Sequence, residues 1–178
     1  QIAEGSASKI EDILERMKEL ATQAASANAS SDTAKLNAEF TNLQAEITRI
    51  SNNTKYQGTA LLSSAYSGVF QVGSENDADS RITVSTTALT LSGLGISSSA
   101  VDSASNAQTA MAAVDSAINT LATTLGNIGA GMNRLDYTYS NLQVQIENFS
   151  AAESAIRDVD MASEMVTFTK TQILMQAG

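Results

Sequence analysis

Residues 111–149, MAAVDSAINTLATTLGNIGAGMNRLDYTYSNLQVQIENF, carry apolar side chains at intervals that alternate between three and four residues. The alternation holds without a break through the whole stretch. It involves Met111, Val114, Ile118, Leu121, Leu125, Ile128, Met132, Leu135, Tyr139, Leu142, Ile146 and Phe149. Such a heptad pattern is typical of a helix that buries one seam against a partner. This stretch therefore predicts one long helix, and it decides the fold.

The heptad register changes at Glu153 and then resumes in a wider form. The apolar positions that follow are Ile156, Val159, Ala162, Val166 and Ile173, flanked by Met161, Met165, Phe168, Leu174 and Met175. One helix that includes all of them spans residues 103–176 and is roughly 110 Å long, at about 1.5 Å per residue. Its C-terminal part has more apolar surface than this chain can cover. That surplus predicts contact with a missing N-terminal segment, with neighbouring subunits, or with both.

Two shorter helices are predicted within residues 6–52. The first has one apolar face, formed by Ile10, Ile13, Leu14, Met17, Leu20, Ala21 and Ala24. The second has a heptad seam of Leu36, Phe40, Leu43, Ile47 and Ile50, with Ser31 or Asp32 as its N-cap. Because a short loop joins these helices, we expect them to pack antiparallel and to line up against the long helix.

Residues 55–100 have a different sequence pattern, in which short apolar runs alternate with Ser and Thr. The runs Val69–Val72 and Arg81–Val84 are typical of two strands, and the polar residues 73–80 join them as a hairpin. A Gly- and Ser-rich stretch, residues 92–99, then leads back into helix. The predicted fold is mainly α: an elongated antiparallel helical bundle over residues 1–178 as a single domain, with a small β-hairpin region at one end.

Composition excludes several classes of function. The chain has no Cys and no His, so it lacks thiol chemistry, the commonest metal ligand and the usual proton-transfer group near neutral pH. Its net charge of −9 disfavours nucleic acid and anionic membranes as partners. No apolar run is long enough to span a bilayer, which needs about 20 residues. The absence of Pro permits very long helices.

The acidic stretch from Glu75 to Asp79 is the one candidate for a metal site. A calcium loop of the EF-hand type that began at Asp77 would need Gly at the position of Ile82 and Glu at the position of Ala88. A solvated turn fits these residues better. We therefore predict no metal site, no cofactor site, no catalytic residues and no enzyme activity.

Short motifs in both halves of the chain resemble bacterial flagellin. They are QIAEG, RMKELATQAA and ISNNTKYQG at residues 1–5, 16–25 and 50–58, and LG, MNRL, ESAIRDVD and ILMQAG at residues 125–126, 132–135, 153–160 and 173–178. Each motif is weak alone, but the ordered set covers nearly the whole chain. The resemblance implies the rod domain of a filament subunit, without the terminal helices and with an outer variable domain that is absent or minimal.

The function that the resemblance implies is structural. A flagellin passes unfolded through an export channel with the help of a chaperone, and it polymerises under a cap into the extracellular filament used for swimming. Its partners are then other flagellin subunits, the export chaperone and the filament cap. Two alternatives stay open: a hook–filament junction protein, and a coiled-coil adhesin or interaction module that presents the hairpin to a ligand.

The resemblance also implies a contact surface for a vertebrate Toll-like receptor. In many flagellins an Arg-x-x-x-Leu motif on the first helix and a Glu on the second form this contact. Arg16, Leu20 and Glu39 match these positions, and Tyr139 and Leu142 correspond to neighbouring positions on the long helix. The same five residues are candidates for subunit packing.

Overall fold

The computed structural model describes residues 1–26, 32–157 and 161–177, and it is mainly helical. Its helices are α1 (Ile2–Ala25), α2 (Thr33–Asn53), α3 (Ala104–Arg157) and α4 (Met161–Ala177). Between α2 and α3 lie the strands β1 (Lys55–Tyr56), β2 (Thr59–Ala60), β3 (Tyr66–Gln71) and β4 (Arg81–Thr86). The predicted mainly α class with a small β-hairpin is confirmed. Because residues 158–160 lie outside the described part, one uninterrupted helix over 103–176 stays a prediction.

The chain divides into two compact units, Gln1–Arg134 and Leu135–Gly178, so the single domain over residues 1–178 also stays a prediction. The first unit contains α1, α2, all four strands and the start of α3. The second contains the rest of α3 together with α4. Nearly all of the buried side chains belong to the first unit, whereas the large apolar side chains of the second are mostly exposed.

In the first unit, helices α2 and α3 both run antiparallel to α1. A short connection makes α1 and α2 antiparallel, with Arg16 opposite Glu39. Helix α3 runs antiparallel to α1. The Lys18 ammonium lies 2.6 Å from the Asp115 carboxylate, and the amino terminus of Gln1 lies 3.7 Å from the sulfur of Met132. The number of residues between the two contacts is the same on the α1 side as on the α3 side, as expected for two helices that pack side by side along their length. The three helices pack together in this arrangement because each has an apolar face that it buries against the others.

The seam that size and hydrophobicity predict on α3 is buried at Val114, Leu121 and Ile128, but the positions between them are shifted by one residue. The buried residues of α3 are Ala107, Ala110, Val114, Ala117, Leu121, Thr124, Ile128 and Gly131, and from Ala110 onwards small and bulky side chains alternate. The predicted seam residues Met111, Ile118, Leu125 and Met132 are half-buried beside it. On α2, Gln44 and Ser51 are buried, and their neighbours Leu43 and Ile50 are half-buried. Small side chains therefore lie at the centre of the interface, and large ones close its edges.

Residue Asp32 does precede α2, as the sequence predicts, but its side chain does not cap the helix. Its backbone carbonyl accepts hydrogen bonds from the amides of Lys35 and Leu36 at 2.9 and 3.0 Å. The carboxylate instead accepts a hydrogen bond from the Lys35 ammonium at 2.9 Å. Asp32 therefore marks the start of α2 without capping it through its side chain, and the alternative N-cap, Ser31, lies outside the described residues.

Strands β3 and β4 form the predicted hairpin, with Phe70 opposite Ile82. The hairpin packs on α3 at Gly131, where an added Cβ would lie 2.7 Å from a methyl group of Val84. A second small hairpin, β1–β2, was not predicted. Its two turn residues, Gln57 and Gly58, have φ angles of 49° and 82°, as a tight two-residue hairpin turn requires.

The segment after β4 differs most from the prediction. Residues 89–101, which we call the strap, are not a loose linker. Their side chains Leu89, Leu94, Ile96 and Val101 are 0–4% exposed and belong to the main core. The strap turns at Gly95, which has a φ of 72°, and its last part, residues 96–101, runs along α2 from Gln44 towards Asn37. The strap therefore runs antiparallel to α2 and adds a fourth segment to the core formed by α1, α2 and α3.

Candidate subunit and receptor interface

Arg16 and Glu39 form the centre of the candidate surface. The Glu39 carboxylate accepts hydrogen bonds from Nε and a terminal nitrogen of Arg16 at 3.0 and 2.8 Å. A third guanidinium nitrogen donates to Glu19 at 2.9 Å. Roughly half of each of the Arg16 and Glu39 side chains is exposed, so the pair lies across the α1–α2 surface in contact with solvent. The antiparallel α1–α2 packing is what brings these two positions together.

The pKa of Arg16 is raised, first by the hydrogen bond to Glu39 and then by the one to Glu19. A similar pair on α2 joins Arg49 and Glu46, and it raises the pKa of Arg49 and lowers that of Glu46. The Glu46 contribution to stability is present above the ordinary carboxylate pKa, and it is lost as pH falls through the lowered one. Because these groups are exposed, solvent and salt screen the pairs, and their contribution is small.

The other candidate residues are not all at the surface. Leu20 is only 1% exposed and packs in the core of the first unit, so its side chain supports the Arg16 surface from beneath. Tyr139 is 64% exposed and accepts a hydrogen bond from Gln143 at 3.1 Å, whereas Leu142 is half-buried. Both belong to the second unit. The structure thus brings Arg16 and Glu39 into contact and assigns Tyr139 and Leu142 to a separate unit.

Two charged residues near this surface were missed by the sequence reasoning. Glu19 shares the Arg16 guanidinium, and Lys18 pairs with Asp115 on α3. The i,i+3 spacing of Arg16 and Glu19 is a signal that could have predicted the first pair. Nothing in the sequence could have predicted the second, because it depends on the alignment of α1 with α3.

The second unit has an extensive apolar surface. Ile146, Phe149 and Ile156 on α3 are 67–88% exposed. The large apolar side chains of α4 described by the structure are 54–73% exposed, and they are Met165, Val166, Phe168, Ile173, Leu174 and Met175. On α4 they point in several directions around the axis and alternate with polar residues such as Glu164, Lys170 and Gln172. Large apolar side chains on several sides of one exposed helix are typical of a surface that contacts other protein.

The acidic turn between β3 and β4 is held by its own hydrogen bonds. The carboxylate of Asp77 accepts a hydrogen bond from the Ser80 amide at 2.8 Å, and the pKa of Asp77 is lowered by its hydrogen bonds with the Ser80 side chain and backbone. Among the residues that the structure describes, no group of three His, Cys, Asp or Glu side chains could hold a metal ion. Nor is any helix in the described ranges both long and apolar enough to cross a bilayer.

Two family models match this chain. The N-terminal helical region of bacterial flagellin matches residues 1–67, and the C-terminal helical region matches residues 111–178. A flagellin of Halalkalibacterium halodurans is 38% identical over the whole chain, which covers 66% of that protein. Flagellin FlaB2 of Treponema pallidum is 34% identical, again over the whole chain, which covers 68% of it. The chain belongs to the bacterial flagellin family.

The fold agrees with that of a solved flagellin. The crystal structure of Bacillus cereus flagellin superimposes with a TM-score of 0.66 at 28% identity, and the match covers 85% of this chain and 88% of that one. Flagellin is a structural protein, and this chain is a structural subunit of the flagellar filament that polymerises with other flagellin subunits. The hook–filament junction and adhesin alternatives are not favoured. The chain spans about two thirds of the length of the Halalkalibacterium halodurans and Treponema pallidum flagellins.

Proposed function

We propose that this flagellin assembles by burying the apolar surface of its second unit against neighbouring subunits. One observation carries the proposal: every large apolar side chain of α4 that the structure describes is more than half exposed. Burial of apolar surface stabilises association by about 25 cal/mol per Å² before the entropic costs of binding are subtracted. Because the large apolar side chains of α4 point in several directions, a single partner helix cannot cover them all, and burial requires contacts from more than one side.

The same surface has consequences before assembly. A helix with many exposed large apolar side chains is prone to aggregation, so an export chaperone that covers it keeps the subunit soluble until it reaches the growing end under the filament cap. Membership of the flagellin family supports these partners and an extracellular location in the filament. It also supports a purely structural role without substrate turnover.

Seeded polymerisation tests the assembly proposal. We expect Phe168→Asp to abolish filament growth on added seeds, because it places a charge in a surface that must lose its water. Ser74→Asp, which adds the same charge to the polar turn between β3 and β4, serves as the matched control and is expected to polymerise normally. Electron microscopy of both variants gives the readout. Normal filaments from Phe168→Asp would show that α4 is not buried on assembly.

A second proposed activity is recognition by a vertebrate Toll-like receptor through the α1–α2 surface. The contact is centred on the Arg16–Glu39 pair, with Leu20 as its buried support and Tyr139 and Leu142 as candidate contributions from the second unit. A half-exposed guanidinium that uses all three nitrogens for hydrogen bonds is an ordered, planar group suited to a protein interface. Arginine is also enriched among the residues that dominate binding energies.

A receptor reporter assay tests this proposal. We expect Arg16→Ala to reduce signalling by about tenfold or more, as for an interface residue worth over 1 kcal/mol. Glu39→Ala should reduce signalling as well, because it releases the guanidinium from its fixed position. Lys9→Ala, on an exposed ion pair of the same helix, is the control and should signal normally. Full signalling from both Arg16→Ala and Glu39→Ala would remove this surface from consideration.

A further inference from the structure

Three polar side chains recur at intervals of seven residues on the side of α2 that faces the strap. They are Asn37, Gln44 and Ser51. Gln44 is 9% exposed and Ser51 is fully buried. Successive members of the series are two helical turns apart, about 10.5 Å along the axis. Burying an amide or a hydroxyl is unfavourable unless it forms hydrogen bonds, so these residues need partners outside their own apolar seam.

Each of the three side chains bonds to backbone atoms, in order along the chain. The Asn37 side-chain oxygen accepts a hydrogen bond from the Val101 amide at 3.0 Å. The Gln44 amide nitrogen donates to the carbonyls of Ile96 and Ser99 at 2.8 and 3.0 Å. At the other end, the Ser51 hydroxyl donates to the Leu62 carbonyl at 3.1 Å, and that same carbonyl accepts from the Leu89 amide at 2.8 Å. Each of these hydrogen bonds is specific to one backbone atom, and Gln44 forms two of them.

The apolar contacts of the strap do not provide the same precision. Its buried side chains are all aliphatic, and aliphatic packing tolerates small displacements along a groove better than a hydrogen bond does. A polar residue within an apolar seam is the best attested way to fix the register of two packed elements, at some cost in stability. A displacement of the strap by one residue would break the hydrogen bonds of Asn37 and Gln44 and the one between Leu89 and Leu62, and it would leave buried polar groups without partners.

The strap also determines where the β3–β4 hairpin lies. It follows β4 after only two residues, and Thr87 in this connection lies 2.6 Å, oxygen to oxygen, from the buried Thr124 of α3. The hairpin itself contacts α3 where Val84 meets Gly131. Because the strap is held at a fixed position along α2, it sets the position at which the hairpin contacts α3.

We propose that Asn37, Gln44 and Ser51 form a hydrogen-bonding ladder that fixes the register of the strap on α2. The strap and the β3–β4 hairpin then open as one local unit when Gln44, the central residue of the ladder, is replaced. The ladder holds an irregular segment to a helix, where helix–helix packing is not available. This inference concerns the subunit before assembly and does not depend on the proposed interfaces.

Hydrogen–deuterium exchange on the complete chain tests the ladder. We expect Gln44→Leu to raise exchange of the strap and hairpin amides about tenfold, since the two hydrogen bonds of Gln44 are lost. Exchange within α1 should stay as in the unmodified chain. Asn42→Leu makes a comparable amide-to-leucine change on the exposed side of the same helix, and it should leave the strap protected.

Two results would overturn the proposal. One is strap exchange within about twofold of the unmodified chain in Gln44→Leu. The other is an equal increase in α1, α2 and the strap, which would show a general loss of stability rather than local opening. If Gln44→Leu does not fold, Asn37→Ala is the second variant, because it removes only the acceptor of the Val101 amide. We then expect increased exchange at residues 96–101 with α1 unchanged, and the same two results would count against the ladder.

Discussion

Ile128→Ala lowers the free energy of unfolding by about 2–5 kcal/mol, whereas Ile146→Ala changes it by less than about 0.5 kcal/mol. Both residues lie on α3, and both belong to the same heptad seam in the sequence. Ile128 is 4% exposed and packs within the first unit, but Ile146 is 67% exposed. Truncating Ile128 removes buried methyl groups and leaves a cavity, and truncating Ile146 removes atoms that already contact water.

Urea denaturation followed by helical circular dichroism measures both changes. The pair is well matched, because the residue type, the helix and the substitution are identical and only the burial differs. We expect the midpoint to fall clearly for Ile128→Ala and to stay in place for Ile146→Ala. Equal losses at the two positions would mean that residues 135–157 are packed within the isolated subunit, which contradicts the exposed surface on which the assembly proposal depends.

Gly131→Val destabilises the first unit by about 1–3 kcal/mol, because overpacking a close contact forces the neighbouring side chain or backbone to move. The Cβ alone would lie 2.7 and 3.1 Å from the two methyl groups of Val84. Val84 is β-branched and cannot readily rotate away. The hairpin is therefore expected to shift on α3, even though valine has a better helix propensity than glycine.

Gly126→Ala is the matched control on the same helix. No atom lies within 4 Å of an added Cβ at Gly126, so alanine should stabilise the helix by up to about 1 kcal/mol. Val84→Ala combined with Gly131→Val should recover part of the lost stability, because it removes the methyl groups that cause the clash. Thermal unfolding of the three variants gives the comparison, and a Gly131→Val protein as stable as the unmodified chain would show that the hairpin does not depend on this contact.

The periodicity of apolar residues predicted the helices well, because helix formation here follows from local pattern. It did not predict the strap. Leu89, Leu94, Ile96 and Val101 have neither a helical nor a strand period, and the Gly and Ser residues among them are typical of a linker. Only the surface that α1, α2 and α3 leave uncovered explains why this segment is buried. The small seam residues Ala110 and Ala117 were missed for a related reason, since hydrophobicity scales favour large side chains.

The candidate interface was predictable only in part. The pairing of Arg16 with Glu39 depends on how α1 and α2 are aligned. The family resemblance indicated these two residues, and the periodicity of apolar residues together with the short loop predicted that the two helices pack antiparallel. The burial of Leu20 was predicted by periodicity, because it continues the apolar face of Ile10, Leu14 and Met17. A motif that names Arg and Leu together does not indicate that one faces solvent and the other faces the core.

We expect the apolar surface of the second unit to become buried when subunits assemble, and site-specific thiol labelling measures this burial directly. The chain contains no Cys, so a single Ile173→Cys substitution introduces a unique probe at a position that is 60% exposed in the subunit. We expect this thiol to react rapidly with a maleimide in the monomer and to be strongly protected in the filament, whereas Ser74→Cys should react in both states. Equal labelling of Ile173→Cys in monomer and filament would contradict this expectation.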